Sequence, residues 1–308
     1  MKIASIDIGS NTVLLLIAEV DIKTKRLNPL LNEYRMPRIS RGLNSSNVIS
    51  ESSVESLLTI LKEYKRIIEK HNCSEVLINA TQALRVAKNS DRIITDIKNE
   101  LGFEVNIIPG NREAYLSFLG AQSGFEQNNS ALVIDIGGAS TEIILGYEEN
   151  ISFQKSFPIG VVTLTEKFLH DEIKNKNLLE AEKNIAEVLN ELNGLELTNS
   201  SVIAVAGTPT TLACAKQNLT EYSDAKVEGY KLKEDDLKEF IEIFKSMSSK
   251  DILKRYGKIM EGREDIILAG TLILHNILKL LKKDYLYTSG RGLRYGAIID
   301  FINSINKG

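Results

Sequence analysis

The sequence predicts an α/β protein made of two related units. Three observations predict it. An Asp-Ile-Gly turn between two apolar runs occurs near the N-terminus and again at mid-chain. Short β-branched runs alternate with amphipathic stretches of helical period along most of the chain. The 308 residues are enough for two domains with sizeable cores.

The mid-chain copy is the centre of the pattern. Leu132 to Ile136 reads as a buried strand. Asp135 stands at its exit, Gly137-Gly138-Ala139-Ser140 form a tight turn, and Thr141-Glu142 lead into Ile143–Tyr147. Glycines let a ligand approach the backbone closely, and successive peptide N–H groups in such a turn make an anion-binding concavity. The N-terminal copy reads Ile6-Asp7-Ile8-Gly9-Ser10-Asn11-Thr12, then Val13–Ile17. One Asp-Gly hairpin is weak evidence, because such turns are common in plain β-structure. Two matched copies half a chain apart point to an internal duplication and to two phosphate-gripping turns.

The other elements follow in order. Ile3 to Ile8, Thr12 to Val20 and Pro29 to Arg35 are read as strands. Arg35, Arg38 and Arg41 stand in a loop-like stretch that is either a solvated loop or an anion clamp. Ser52 to Glu55 reads as a capping box, followed by a helix with Leu57, Leu61, Tyr64 and Ile68 on one face. Val76 to Ala80 is a strand, and Thr81 to Arg85 lies at its end, where open α/β sheets place ligand contacts. A helix over Asp91–Leu101 and a strand over Glu104–Ile108 lead to Gly110-Asn111-Arg112-Glu113-Ala114, a turn running into a helix. Gly124 to Ser130 is turn-rich and is the candidate boundary. Further on come a helix over Leu178–Leu197 and a strand over Val202–Val205. The turn Ala206-Gly207-Thr208-Pro209 then opens a helix, a pattern suited to phosphate. A charged helix over Lys231–Met247, an apolar helix from Arg263 to Leu281, a strand over Tyr285–Thr288 and a Gly-Arg-Gly turn before the last helix complete the chain.

Composition narrows the function. The net charge of −3 excludes a global positive field for DNA or RNA. Cys73 and Cys214 are isolated, and His71, His170 and His275 are scattered, so no zinc-type cluster exists. The longest late apolar run, Ile266–Leu274, is well short of the ~20 residues of a membrane span. With no signal-peptide pattern at the start, the expected compartment is cytoplasmic. Three strand-end turns rich in Gly, Ser and Thr, with Asp7, Asp135 and Glu142 beside them, suit phosphoryl transfer. Glu113 is the candidate base that activates water. Hard oxygen ligands point to Mg²⁺, with Mn²⁺ as a substitute.

These motifs, taken in order, resemble the exopolyphosphatase/guanosine pentaphosphate phosphohydrolase family, within the actin, sugar-kinase and Hsp70 ATPase-domain superfamily. The resemblance rests on Ile6–Thr12, Thr81–Arg85, Gly110–Ala114, Ile134–Glu142, Gly207–Thr210 and Gly290–Arg294. It implies two actin-like, ribonuclease H-like domains with a cleft between them. The expected domains are 1–125, on which a terminal helix over 296–308 can pack back, and 126–295. It also implies Mg²⁺-dependent release of a terminal phosphate from inorganic polyphosphate or from the 5′ end of pppGpp. Within the motifs, Glu113 matches the family's base, and Asp135 and Glu142 match its metal- and water-organising acids, with Asp7 as a further metal ligand. Ser10, Asn11 and Gly138 to Ser140 match the phosphate-cradling loops, and Thr12, Gly137, Thr141, Gly207 and Thr208 complete the expected phosphate-binding set. Arg85 matches an arginine at the cleft. Ala139, Ala206 and Tyr295 depart from the family pattern. The absence of a C-terminal helical extension argues against processive action on long polymers. A homodimer is expected, with a polyphosphate or guanosine nucleotide substrate and neither nucleic acid nor membrane as partner. The competing readings are an ATP-dependent small-molecule kinase and a non-catalytic sensor.

Overall fold

The computed structural model describes residues 1–24, 26–125, 130–148, 150–169, 175–197 and 200–307. The chain forms two units, Met1–Gly120 with Leu293–Gly308, and Ala121–Gly292. The first division falls inside the helix Gly110–Gln122, a few residues before the turn-rich stretch, part of which lies outside the described residues.

Unit 1 is built on β1 (Lys2–Ile8), β2 (Val13–Asp21), β3 (Arg26–Arg35), β4 (Glu75–Ala80) and β5 (Asn106–Ile107), in the order β3-β2-β1-β4-β5. The first three strands are antiparallel, and β4 and β5 then add in parallel. Both faces of β1 and β2 are covered, which explains their continuous apolar runs. Ala4, Ile6 and Ile8 face one core with Leu57, Leu61 and Tyr64, while Ile3 faces Tyr295, Ile298 and Ile302 of the terminal helix Leu293–Lys307. By the alternation of a strand, Asp7 shares the face of Ile3. The terminal helix also approaches Gly110–Gln122 so closely that a Cβ on Gly296 would lie 1.8 Å from the Leu116 carbonyl oxygen.

Unit 2 holds β6 (Ala131–Ile136), β7 (Thr141–Tyr147), β8 (Asn150–Phe157), β9 (Ser201–Val205), β10 (Lys231–Lys233) and β11 (Tyr285–Thr288), in the order β10-β11-β9-β6-β7-β8. Three antiparallel strands again adjoin parallel ones. Strands β8-β7-β6-β9-β11 thus repeat the order of β3-β2-β1-β4-β5, as the duplicated turn predicts. The apolar helix Ile267–Leu280 is the centre of the unit 2 core, packed by Phe240, Phe244 and Ile185.

Several elements differ from the sequence reading. The cap of the helix Glu51–Lys70 is Ser50, whose side chain accepts from the Ser53 N–H, so Ser52 lies inside the helix. The expected helix over 231–247 starts at Glu234, because Lys231-Leu232-Lys233 pair with Tyr285–Tyr287 as an edge strand. Leu232 is buried and the flanking lysines are exposed, a pattern three residues long and invisible to helical periodicity. The long helix over 178–197 is α-helical only over Asn175–Val188 and tightens to a 3₁₀ turn at Asn190–Gly194. The helix read from Arg263 begins at Ile267, after a turn in which Arg263 N–H donates to the Met260 carbonyl. Strand β8 has no counterpart in the sequence reading.

Candidate active site

The two Asp-Ile-Gly turns have the same construction. In unit 1, β1 and β2 close at Ile8↔Val13, and Gly9 N–H donates to the Thr12 carbonyl at 2.9 Å. In unit 2, β6 and β7 close at Ile136↔Thr141, and Gly137 N–H donates to the Ser140 carbonyl at 2.9 Å. A Cβ on either glycine would press on the accepting carbonyl, at 3.1 Å for Gly9 and 3.2 Å for Gly137. The glycines in the pattern therefore follow from the close approach of the turn's own backbone.

Each turn is oriented by a neighbouring segment. Val161 N–H donates to the Gly137 carbonyl at 3.0 Å, and Val162 N–H to that of Gly138 at 2.8 Å. In a trans peptide the C=O and the following N–H point in opposite directions. The N–H groups of Gly138 and Ala139 are therefore turned away from Val161 and Val162. In unit 1, Ser40 N–H donates to the Ser10 carbonyl at 3.1 Å and Arg38 N–H to that of Asn11 at 3.0 Å. This turns the N–H groups of Asn11 and Thr12 to the opposite side. Both turns thus aim consecutive N–H donors one way, the arrangement that suits phosphate oxygens. Ala139 is exposed, so its Cβ meets no obstacle at the turn.

The carboxylates differ in their surroundings. Asp135 lies opposite Glu142 across β6 and β7, and Glu142 lies opposite Ser156 on β8. Ser156 Oγ donates to Glu142 Oε1 at 2.6 Å. Like charges directly opposite in a sheet are destabilising by themselves, so a row with two facing acids fits a role toward a positive group. In unit 1, the Oδ1 of Asp7 is buried and has no hydrogen-bond partner. Burial raises the Asp7 carboxyl from 3.8 to about 6, against the lowering pull of the Arg294 charge. Arg294 itself donates to Asn32 Oδ1 at 2.8 Å.

That shift predicts a pH dependence. The folded state binds the Asp7 proton more tightly than the unfolded chain does. Stability is therefore highest below the unfolded value of 3.8 and falls as the pH rises through about 6, levelling off above it. In metal-free buffer, Asp7→Asn is expected to exceed the native protein in stability by about 1–3 kcal/mol at pH 8 and to match it near pH 4. Urea unfolding at the two pH values measures this difference.

Glu113 stands in the first turn of the helix Gly110–Gln122. Arg85 Nη1 donates to Glu113 Oε2 at 3.1 Å and to the Ile108 carbonyl at 2.7 Å, and Arg85 Nη2 donates to Gln82 Oε1 at 2.6 Å. The Thr81–Arg85 and Gly110–Ala114 motifs are thereby brought together. Arg35, by contrast, is engaged by Glu33 and Glu63 and lies over the Tyr64 ring, which accounts for it structurally. The backbone of Arg38 braces the Asn11 turn, and Arg41 is exposed.

At the third turn, Ala206 has φ 72° and ψ −166°, a region populated essentially by glycine. Ala206→Gly is expected to stabilise the protein by about 1–2 kcal/mol, the strain released less the added freedom of the unfolded chain. Thermal unfolding of the variant checks it. A Cβ on Gly207 would lie 1.3 Å from Arg263 Nη1, so the Arg263 guanidinium packs on the first residue of the helix Gly207–Lys216. A cation there opposes the helix dipole, and together with the terminal N–H groups it suits an anion. Sequence reasoning took Arg263 only as a helix opener. Its signal was the charged triplet Arg263-Glu264-Asp265 before an apolar run.

No group of three or more His, Cys, Asp or Glu side chains is arranged for a metal among the described residues. Mg²⁺ keeps most of its waters and needs one or two carboxylates. The facing pair Asp135 and Glu142 of unit 2 has the chemistry to meet such a hydrated ion, and in unit 1 the orphaned Oδ1 of Asp7 is an oxygen of the same kind. No helix among the described residues is long and apolar enough to cross a membrane.

Residues 16–305 match the model of the Ppx/GppA phosphatase family. The chain is 33% identical to a bifunctional 3-dehydroquinate synthase/phosphatase of Fusobacterium nucleatum, over 98% of this chain and 46% of the relative, so it spans about half that protein's length. It is 29% identical to exopolyphosphatase 2 of Mycobacterium tuberculosis, over 92% of this chain and 91% of the relative. The crystal structure of the Aquifex aeolicus Ppx/GppA family member is similar at 30% identity with a TM-score of 0.87, covering 99% of each chain.

Proposed function

Because this chain belongs to the Ppx/GppA phosphatase family, whose members include enzymes that hydrolyse phosphoanhydride bonds, we propose that it releases the terminal phosphate of inorganic polyphosphate or the 5′-phosphate of pppGpp. Its two units are the actin-like domains of that family's fold. The observation that carries the reading is the Gly137–Ser140 turn, whose Gly138 and Ala139 N–H donors are aimed by Val161 and Val162 beside the Asp135–Glu142–Ser156 row. Such preorganised donors stabilise the charge that develops on a transferred phosphoryl group.

The remaining roles belong to the same proposal. Glu113 accepts the proton of the attacking water. Arg85 holds the Glu113 carboxylate, and a phosphate oxygen competing for the Arg85 guanidinium loosens that pair as substrate binds. Asp135 and Glu142 in unit 2 would hold Mg²⁺ through its waters, Asp7 in unit 1 is a further carboxylate suited to a cation, and the ion would neutralise phosphate charge. The donor turns of each unit grip phosphates and not bases, which fits a polymer of phosphates as well as a nucleotide tail.

Phosphate release with Mg²⁺ from short polyphosphate, long polyphosphate, pppGpp and ATP tests the proposal. Turnover of polyphosphate or pppGpp well above ATP is the expected result. Tight binding of these anions with no phosphate released would instead make the protein a sensor, and transfer from ATP to an added acceptor would make it a kinase.

A further inference from the structure

The chain passes between its units twice, at Gly120/Ala121 and at Gly292/Leu293. On the unit 2 side the connecting segments are Ala121–Gly124 and Ser289–Gly292. Both meet at one largely buried carboxylate, that of Glu228, whose side chain is 18% exposed. Glu228 accepts from Ser289 Oγ at 2.9 Å on Oε1 and 3.0 Å on Oε2, and from Gly290 N–H at 3.0 Å. Arg291 Nε faces Glu228 Oε1 at 3.9 Å, and Arg291 N–H donates to Ser289 Oγ at 3.0 Å. From there Arg291 Nη1 reaches across to the Ser123 carbonyl at 3.0 Å. Gly124 lies directly against the acid, since a Cβ on it would fall 1.9 Å from Glu228 Oε1.

The residue carrying this carboxylate is itself held firmly. Gly229 N–H donates to the Thr288 carbonyl at 2.9 Å, Thr288 Oγ1 donates to the Val227 carbonyl at 2.6 Å, and Glu228 N–H donates to the Asp224 carbonyl at 2.9 Å. The Tyr222 hydroxyl covers the turn, where a Cβ on Gly290 would meet it at 2.4 Å. None of these groups belongs to the phosphate turns, and burying most of an acid is costly unless it is paired and hydrogen-bonded as here. We propose that Glu228 is a positioning residue that, through Ser289 and Arg291, fastens the two connecting segments of unit 2 into one rigid piece. The clamp is independent of which phosphorylated substrate the protein takes. Its consequence is that loosening Glu228 loosens both segments at once.

The chemistry makes Glu228→Gln a sharp test. The native carboxylate presents acceptors on both oxygens. A Gln loses the charge that faces Arg291 at 3.9 Å in either amide orientation, and in one of them also turns its NH₂ against Gly290 N–H, donor against donor. Hydrogen exchange of the full-length protein is the readout. Glu228→Gln is expected to speed exchange about 10-fold or more in both Ser289–Gly292 and Ala121–Gly124, with the phosphate turns unchanged. Arg291→Lys, which loses the planar reach to Ser123, is expected to speed Ala121–Gly124 while Ser289 and Gly290 keep their exchange rates. The proposal is overturned if Glu228→Gln loosens Ser289–Gly292 alone, if exchange rises evenly over unit 2, or if neither segment changes. Should Glu228→Gln fail to fold, Arg291→Lys decides by the same criterion at Ala121–Gly124.

Discussion

Glu113→Gln is expected to lower phosphate release by about 10²–10⁴-fold while leaving the fold and substrate binding in place. The substitution keeps the shape of the side chain and an oxygen that accepts from Arg85 Nη1, now at 3.1 Å from Glu113 Oε2. What it removes is the proton-accepting charge. The Arg85–Glu113 pair is partly exposed, so its loss as an ion pair costs stability only about 0–1 kcal/mol. Arg85 also stays tied to the Ile108 carbonyl and Gln82. Steady-state release and unfolding midpoints of the two proteins measured side by side separate the chemical loss from a structural one. Activity within a few-fold of native would assign the base elsewhere.

The second large effect is expected at Gly160. An ideal Cβ there falls 2.5 Å from both the carbonyl carbon and the oxygen of Gly138 and 2.6 Å from the Ala139 nitrogen. These are backbone atoms in the middle of the Gly137–Ser140 turn, and no side-chain rotation relieves the collision. Gly160→Ala must therefore displace the Gly138–Ala139 peptide, which carries one of the aimed donors. Loss of one such donor costs about 10²–10³-fold in turnover, and overpacking of this kind costs about 1–3 kcal/mol of stability. Gly194→Ala is the control, since nothing lies within 4 Å of a Cβ at that position. Native turnover in Gly160→Ala would remove this turn from the phosphate site.

Much of the fold was legible along the chain. The two hairpin strands of each unit announce themselves because both faces of β1, β2 and β6 are covered, leaving long apolar runs such as Val13–Ile17 and Leu132–Ile136. The helix Glu51–Lys70 was legible because it buries one stripe, Leu57, Leu61, Tyr64 and Ile68. Strands β8 and β10 were not. Asn150–Phe157 alternates half-buried and exposed residues on an edge and contains Gln154 and Lys155, and Lys231–Lys233 has one buried residue. Edge strands are held by partners distant in sequence, so their own composition says little.

The candidate site divides in the same way. The sequence by itself determined the strand-exit acids Asp7 and Asp135, the glycines Gly9, Gly137 and Gly207, and the helix start that carries Glu113. These positions depend on local geometry, on turns and termini that only certain residue types can form. Only the tertiary structure decided the rest: that Arg85 holds Glu113, that Ser156 holds Glu142, that Asp7 keeps a buried oxygen without a partner, that Arg263 lies on Gly207, and that Glu228 joins Ser289 to Ser123 through Arg291. Each of these joins residues far apart in the chain, or sets the burial of a charge. Such partnerships come from packing and cross-strand register, which no local pattern of residues encodes.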